Sequence, residues 1–153
     1  MINTKNDKRD IRDVMKKFHH DIAINDLKIL YKCNAKSKLT YNSLMYLDII
    51  GGKNGKYTAS DIAKILHIEK PSVTQKLNIL EKAGYIYKKQ SEEDKRIFYL
   101  YVKDNEDDQV EQEFKKSDYA AEKMLRKNFS DEDVSKFFDM IEFMGDVLLK
   151  QEV

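Results

Sequence analysis

Between residues 70 and 82 the chain reads KPSVTQKLNILEK, and its polar residues fall at spacings that could touch a ligand. If Val73, Leu77 and Leu80 turn inward at helical spacing, then Gln75, Asn78 and Lys82 turn outward, with Ser72 and Thr74 on the flanks. Gln and Asn each offer a donor and an acceptor on one planar amide, which lets them bond an adenine edge twice in a DNA major groove. Lys70 and the N-terminus of the same helix suit a phosphate. A second group lies in KKQSEEDKRIFYLYV (88–102), where Asp94-Lys95-Arg96 precedes an aromatic and aliphatic run. Arg96 fits a narrow minor groove, where the negative potential is strongest. Asp94 would be repelled there unless it holds Arg96 by a charge-assisted bond and fixes its direction. Glu92 and Glu93 are then expected to point away from phosphate. An ordinary solvated helix face and hairpin tip would use the same residue types, so the choice rests on what positions them.

Other chemistry finds little footing. GGKNGKY (51–57) departs from the phosphate-loop pattern twice, with Ile50 where glycine is needed and Tyr57 where Ser or Thr is needed. His19 and His20 are neighbours on a predicted helix and diverge by about 100°, and His67 stands alone, so no metal site is expected. Asp107-Asp108 and Asp131-Glu132-Asp133 fall at helix starts, where carboxylates favour the dipole. Cys33, the one cysteine, is either a small apolar residue or a redox sensor whose thiolate Lys32 or Lys36 stabilises. With no nucleophile–base pair in view, neither an enzyme nor a cofactor is expected.

The elements that must carry these residues follow from periodicity and punctuation. One proline and five glycines in 153 residues favour helices and one domain. Apolar spacing predicts a helix over 7–31, with Asn25-Asp26 as a candidate interruption. A second spans 36–50, capped by Thr40, with Leu44, Leu47 and Ile50 inward and Gly51-Gly52 as its stop. Thr58 and Asp61 make a capping-box-like start for a helix over 58–68, and Pro71 opens the next, which Gly84 ends. These two form a helix-turn-helix. Residues 85–89 and 97–103 read as strands of a hairpin. From Asp104 the chain returns to helix, first with Val110, Phe114, Ala121, Met124 and Leu125. A last helix starts at Ser130 and Asp133 and carries Phe137, Phe138, Ile141, Met144, Val147 and Leu148. The fold class is therefore α+β, mostly helical. The polar N-terminus, the absence of a long apolar run and the lone cysteine lead to the expectation of a soluble cytoplasmic protein with no membrane contact.

Charge is uneven along the chain. Residues 1–57 carry +6, residues 58–103 carry +3 and residues 104–153 carry −8, so the first two thirds suit a polyanion and the last third suits protein.

The helix-turn-helix followed by LEKAGYIYKKQSEEDKRIFYLYV resembles the MarR family of winged-helix transcription regulators. In that family a Leu-Glu-x-x-Gly-hydrophobic segment leads into a wing bearing Asp-x-Arg, matched here by Leu80-Glu81, Gly84-Tyr85-Ile86 and Asp94-Lys95-Arg96. LTYNSLMYLDII and TASDIAKILHIEKPSVTQKLNIL extend the resemblance upstream. Two departures stand out. YVKDNED replaces the common Leu-Thr-x-x-Gly after the wing, and Lys95 replaces a common Arg, keeping the charge without the fork. The resemblance implies a winged helix-turn-helix lobe over 36–103 and dimerisation helices at 1–35 and 104–153. It also implies a ligand-responsive repressor that binds a pseudo-palindromic double-stranded operator as a homodimer. Lys70, Ser72, Thr74, Gln75, Asn78, Asp94, Lys95 and Arg96 are then the DNA-contacting candidates. A small, often aromatic effector is implied between the lobe and the dimerisation helices, where Phe18, Tyr31, Tyr41, Met45 and Tyr46 are candidates, with core packing the stronger reading for any one of them. The alternative is a winged-helix module that meets a protein through its charged wing; binding that hardly changes with salt would favour it.

Overall fold

The computed structural model describes residues 8–33, 39–106 and 108–150. The expectations for Lys36 and Asp107, and for a helix start before residue 8, lie outside the described residues. The elements run α1 (Ile11–Cys33), α2 (Tyr41–Gly52), α3 (Ala59–Leu66), α4 (Lys70–Lys82), β1 (Ile86–Gln90), β2 (Phe98–Val102), α5 (Gln109–Asn128) and α6 (Asp131–Leu149). The chain forms two compact units, Met1–Glu111 and Gln112–Val153, with the boundary inside α5.

In the first unit, α1 passes Asn25-Asp26 without a break. Neither residue has the backbone penalty of Gly or Pro, so a long helix absorbs both. Thr40 caps α2: its hydroxyl accepts from the Ser43 N–H at 3.2 Å, and the Ser43 hydroxyl accepts from the Thr40 N–H at 3.2 Å. The buried face of α2 is Ser43, Tyr46 and Ile50, while Leu44 and Leu47 are only half-buried. That corrects the predicted Leu44–Leu47–Ile50 stripe. The helix is apolar on most sides, so hydrophobic spacing does not select a face, and Ser43 enters the core because its hydroxyl is bonded there.

Thr58 and Asp61 form a reciprocal capping box at the start of α3. The Asp61 carboxylate accepts from the Thr58 N–H at 2.9 Å and from its hydroxyl at 2.7 Å. These bonds, the backbone one foremost, hold the Asp61 carboxyl below its ordinary value of 3.8. Thr58→Ala should cost about 1 kcal/mol, read as a lowered urea midpoint at unchanged slope. The turn from α3 to α4 bends at His67, whose backbone is left-handed (φ 52°), and the Ile68 N–H closes it onto the Ala63 carbonyl at 3.1 Å. Pro71 sits in the first turn of α4. Val73, Leu77 and Leu80 face inward and, with Ile50, Ile62, Ala63, Ile86 and Leu100, make the core behind the helix pair.

The strands pair antiparallel in the register Ile86↔Val102, Tyr87↔Tyr101, Lys88↔Leu100, Lys89↔Tyr99 and Gln90↔Phe98. Each starts one residue later than periodicity predicts. Ile86 and Leu100 are buried, and Tyr87 and Tyr101 stack at 5.0 Å with planes 11° apart. The outer edge of β2 is closed by the loop before α3. Gly55 N–H donates to the Leu100 carbonyl at 2.9 Å, Leu100 N–H donates to the Tyr57 carbonyl at 2.9 Å, and Val102 N–H donates to Asn54 Oδ1 at 2.8 Å. At the other end of the unit, Asp108 Oδ1 accepts from Val110 N–H at 2.9 Å and from Glu111 N–H at 3.1 Å, capping α5.

In the second unit, Ser130 and Asp133 make the capping box of α6. Val134 is buried, whereas Phe137, Phe138, Ile141, Val147 and Leu148 remain exposed. Among the described residues no helix is long and apolar enough to cross a membrane.

Candidate nucleic-acid interface

Turning Val73, Leu77 and Leu80 into the core leaves Lys70, Ser72, Gln75, Asn78 and Lys82 on the outer surface of α4. Thr74 is half-buried, and its hydroxyl donates to the Lys70 carbonyl at 2.9 Å. That back-bond turns Thr74 toward its own helix. Asn78 is exposed but not solitary, because its Oδ1 accepts from Lys88 Nζ at 2.8 Å. The same ammonium lies 2.7 Å from Glu81 Oε2. Lys88 was missed as a site residue, though a signal existed. It lies two positions after buried Ile86, so strand alternation sends it to the face that meets α4. Lys76 was missed as well. Its Nζ donates to the buried Ser43 hydroxyl at 2.9 Å and ties α4 to the start of α2.

The hairpin tip is built rather than loose. Ser91 N–H donates to the Ile97 carbonyl at 2.9 Å and Ile97 N–H to the Asp94 carbonyl at 3.0 Å. The Ser91 hydroxyl accepts from the N–H groups of Glu93 and Asp94, both at 3.3 Å. On this frame Asp94 grips Arg96 three times. Oδ1 accepts from the Arg96 N–H at 2.9 Å and from Nε at 3.1 Å, and Oδ2 accepts from Nη2 at 3.0 Å. The Arg96 side chain stays 89% exposed, and the grip leaves its Nη1 edge for a groove. Lys95 folds back, donating from Nζ to the Ser91 carbonyl at 3.3 Å, and its own carbonyl accepts from Gln90 Nε2 at 2.6 Å. Glu92 and Glu93 are exposed.

Arg96 holds the Asp94 carboxyl below its ordinary 3.8, through its side chain first and its backbone N–H second, and Asp94 in turn raises Arg96. A carboxylate with a lowered value keeps its bonds above the ordinary value and loses them only as pH falls through the lowered one. Binding of DNA from about pH 5 to pH 8 should therefore be flat as far as this pair is concerned, which fluorescence anisotropy across that range would check.

The other candidates scatter. Tyr46 is 4% exposed and belongs to the core. Tyr31 and Tyr41 line one open depression of about 650 Å³ with Ile24, Leu27, Lys28 and Leu39, and Phe18 and Met45 are exposed outside its lining. Cys33 is 1% exposed, with its thiol 3.9 Å from the Gln109 carbonyl. Among the described residues no group of three metal-ligating side chains converges.

The lobe carrying α3, α4 and the wing has known counterparts. A match to the MarR family spans residues 39–98. Over 116 residues the chain is 28% identical to HTH-type transcriptional regulator BilQ of Clostridioides difficile (strain CD3), covering 76% of this chain and 77% of that one. Among solved structures, a MepR mutant from a multidrug resistant S. aureus clinical isolate superposes with a TM-score of 0.71 at 18% identity, covering 92% of this chain and 99% of that one. Streptococcus pneumoniae FabT, solved in complex with DNA, superposes with a TM-score of 0.56 at 20% identity over 90% of this chain and 96% of that one. At these identities the two structures speak to the fold.

Proposed function

Because residues 39–98 match the MarR family, we propose that this chain is a member of that family and a sequence-specific, double-stranded-DNA-binding transcriptional regulator of the cytoplasm, acting as a homodimer. The observation that carries this reading is the pairing of two reading elements on one compact lobe. The outer face of α4 presents Ser72, Gln75 and Asn78, and the wing beside it presents an Arg96 aimed by Asp94. A polar helix face fits a major groove, and an exposed guanidinium fits the adjoining minor groove. FabT was solved with DNA, which supports the same use of the fold here.

A dimer accounts for the apolar surface of α6, where Phe137, Phe138, Ile141, Val147 and Leu148 would otherwise meet water. Two copies would present two recognition helices to a pseudo-palindromic site. The depression lined by Tyr31 and Tyr41 is the candidate seat of a small aromatic effector that would make the protein a ligand-responsive repressor. No catalytic step belongs to this reading.

Selection of bound sequences from a random DNA pool tests the function. A two-fold symmetric motif is expected, with log affinity falling steeply and linearly with log salt, as several phosphate contacts require. No enriched motif together with a shallow salt dependence would overturn the reading and leave the wing as a protein-binding surface.

A further inference from the structure

We propose that Lys88 is a positioning residue that decides which base Asn78 reads, by committing the Asn78 amide to presenting its N–H groups. The inference rests on the DNA-binding reading above and deepens it. An ammonium has donors only, so the Asn78 atom 2.8 Å from Lys88 Nζ must be the amide oxygen. The orientation of the amide, ordinarily a matter of choice between two similar atoms, is thus assigned by chemistry.

Lys88 is itself held. Glu81, one turn beyond Asn78 on α4, takes the same ammonium at 2.7 Å, and the Lys88 side chain is 24% exposed. A lysine anchored by a carboxylate and shielded from water is not a roving phosphate contact. It is the fixed end of a bridge from β1 to the reading face of α4.

The consequence is a change of code at one position. Asn reads adenine by accepting from N6 and donating to N7 together, which needs the oxygen and the nitrogen of the amide side by side at the base. With Oδ1 drawn to Lys88, the base meets the two Nδ2 hydrogens, and an ammonium beside the oxygen repels the amino hydrogens of adenine. Guanine offers only acceptors there, N7 and O6. Asn78 therefore favours guanine while Lys88 is in place.

The test uses the full chain as wild type, Asn78→Ala, Lys88→Met and Lys88→Arg. Each is put through selection from a random DNA pool, followed by titration of the selected site carrying each of the four bases in turn. Asn78→Ala, an exposed change, identifies the position in each half-site whose preference depends on Asn78. Wild type is expected to favour guanine over adenine there by roughly tenfold. Lys88→Met should erase or invert that preference at this position alone, with the salt slope unchanged, and Lys88→Arg, which still donates to both oxygens, should keep it. Adenine preferred by wild type at that position would overturn the proposal whatever the Lys88 variants do. So would an unchanged base profile in Lys88→Met, or a uniform loss across all sequences with a salt slope reduced by about one, the mark of a phosphate contact. A wild type that enriches no motif brings down the DNA-binding reading itself, whereas an enriched motif that Lys88→Met shares removes only the role of Lys88.

Discussion

Arg96→Ala is expected to weaken binding to the selected operator by about tenfold or more while leaving the fold intact. The guanidinium is 89% exposed and, among the described residues, its bonds run to Asp94, two residues away on the same tip. Removing it takes no apolar surface from the core, so the melting temperature should hardly move. The tip turn persists through Ser91 and through the bond from Ile97 N–H to the Asp94 carbonyl at 3.0 Å. What remains is a bare carboxylate facing DNA, so the loss combines a missing cation with an uncompensated anion. The double change Asp94→Ala with Arg96→Ala removes that anion and should recover part of the affinity. Unchanged affinity in Arg96→Ala would remove the wing from the interface.

Gly55→Ala is expected to destabilise the protein by about 2–3 kcal/mol, which for a chain of this size lowers the melting temperature by roughly 5–10 °C. Two causes add. Gly55 has φ +76°, in the left-handed region, where any residue with a Cβ costs about 1–2 kcal/mol. A Cβ built there would also lie 2.4 Å from Tyr101 Cε1 and 2.5 Å from Cζ. The ring cannot yield without leaving its stack on Tyr87, a pairing worth about 0.5–1.5 kcal/mol. Combining Gly55→Ala with Tyr101→Leu relieves the clash but not the backbone strain, so the pair should cost less than the sum of the single changes. A melting temperature in Gly55→Ala equal to that of wild type would show that the loop gives way freely.

What could be read from the sequence divides by distance along the chain. The caps at Thr40, Thr58 and Ser130 each pair with a residue three positions on, and Asp94 meets Arg96 across two positions. Contacts this local follow from residue type and spacing. The inward stripe of α4 was equally plain, because apolar residues alternate there with clearly polar ones. Where a helix is apolar on several sides the signal fails, which is why Tyr46, a candidate for the effector site, proved to be core. The bonds between elements were not legible either. Lys76 reaches Ser43 across 33 positions, and Asn54 meets Val102 across 48. Both depend on how the turn at His67 and the hairpin bring distant segments together. Lys88 lies between these cases, since strand alternation points it toward α4 but only the crossing of helix and strand selects Asn78 and Glu81.

The bond from Lys76 to Ser43 limits how α4 can move. Lys76 and Asn78 are two positions apart, hence about 200° apart around the helix axis, and each is tethered to a different element. A rod pinned on nearly opposite sides cannot roll. An imperfect operator therefore cannot be accommodated by rotating fresh side chains toward it, and the whole lobe must shift, wing included. Such a protein should tolerate few spellings of its site, and its mismatches should penalise one another: a base change under α4 should also weaken the contact that Arg96 makes in the neighbouring groove.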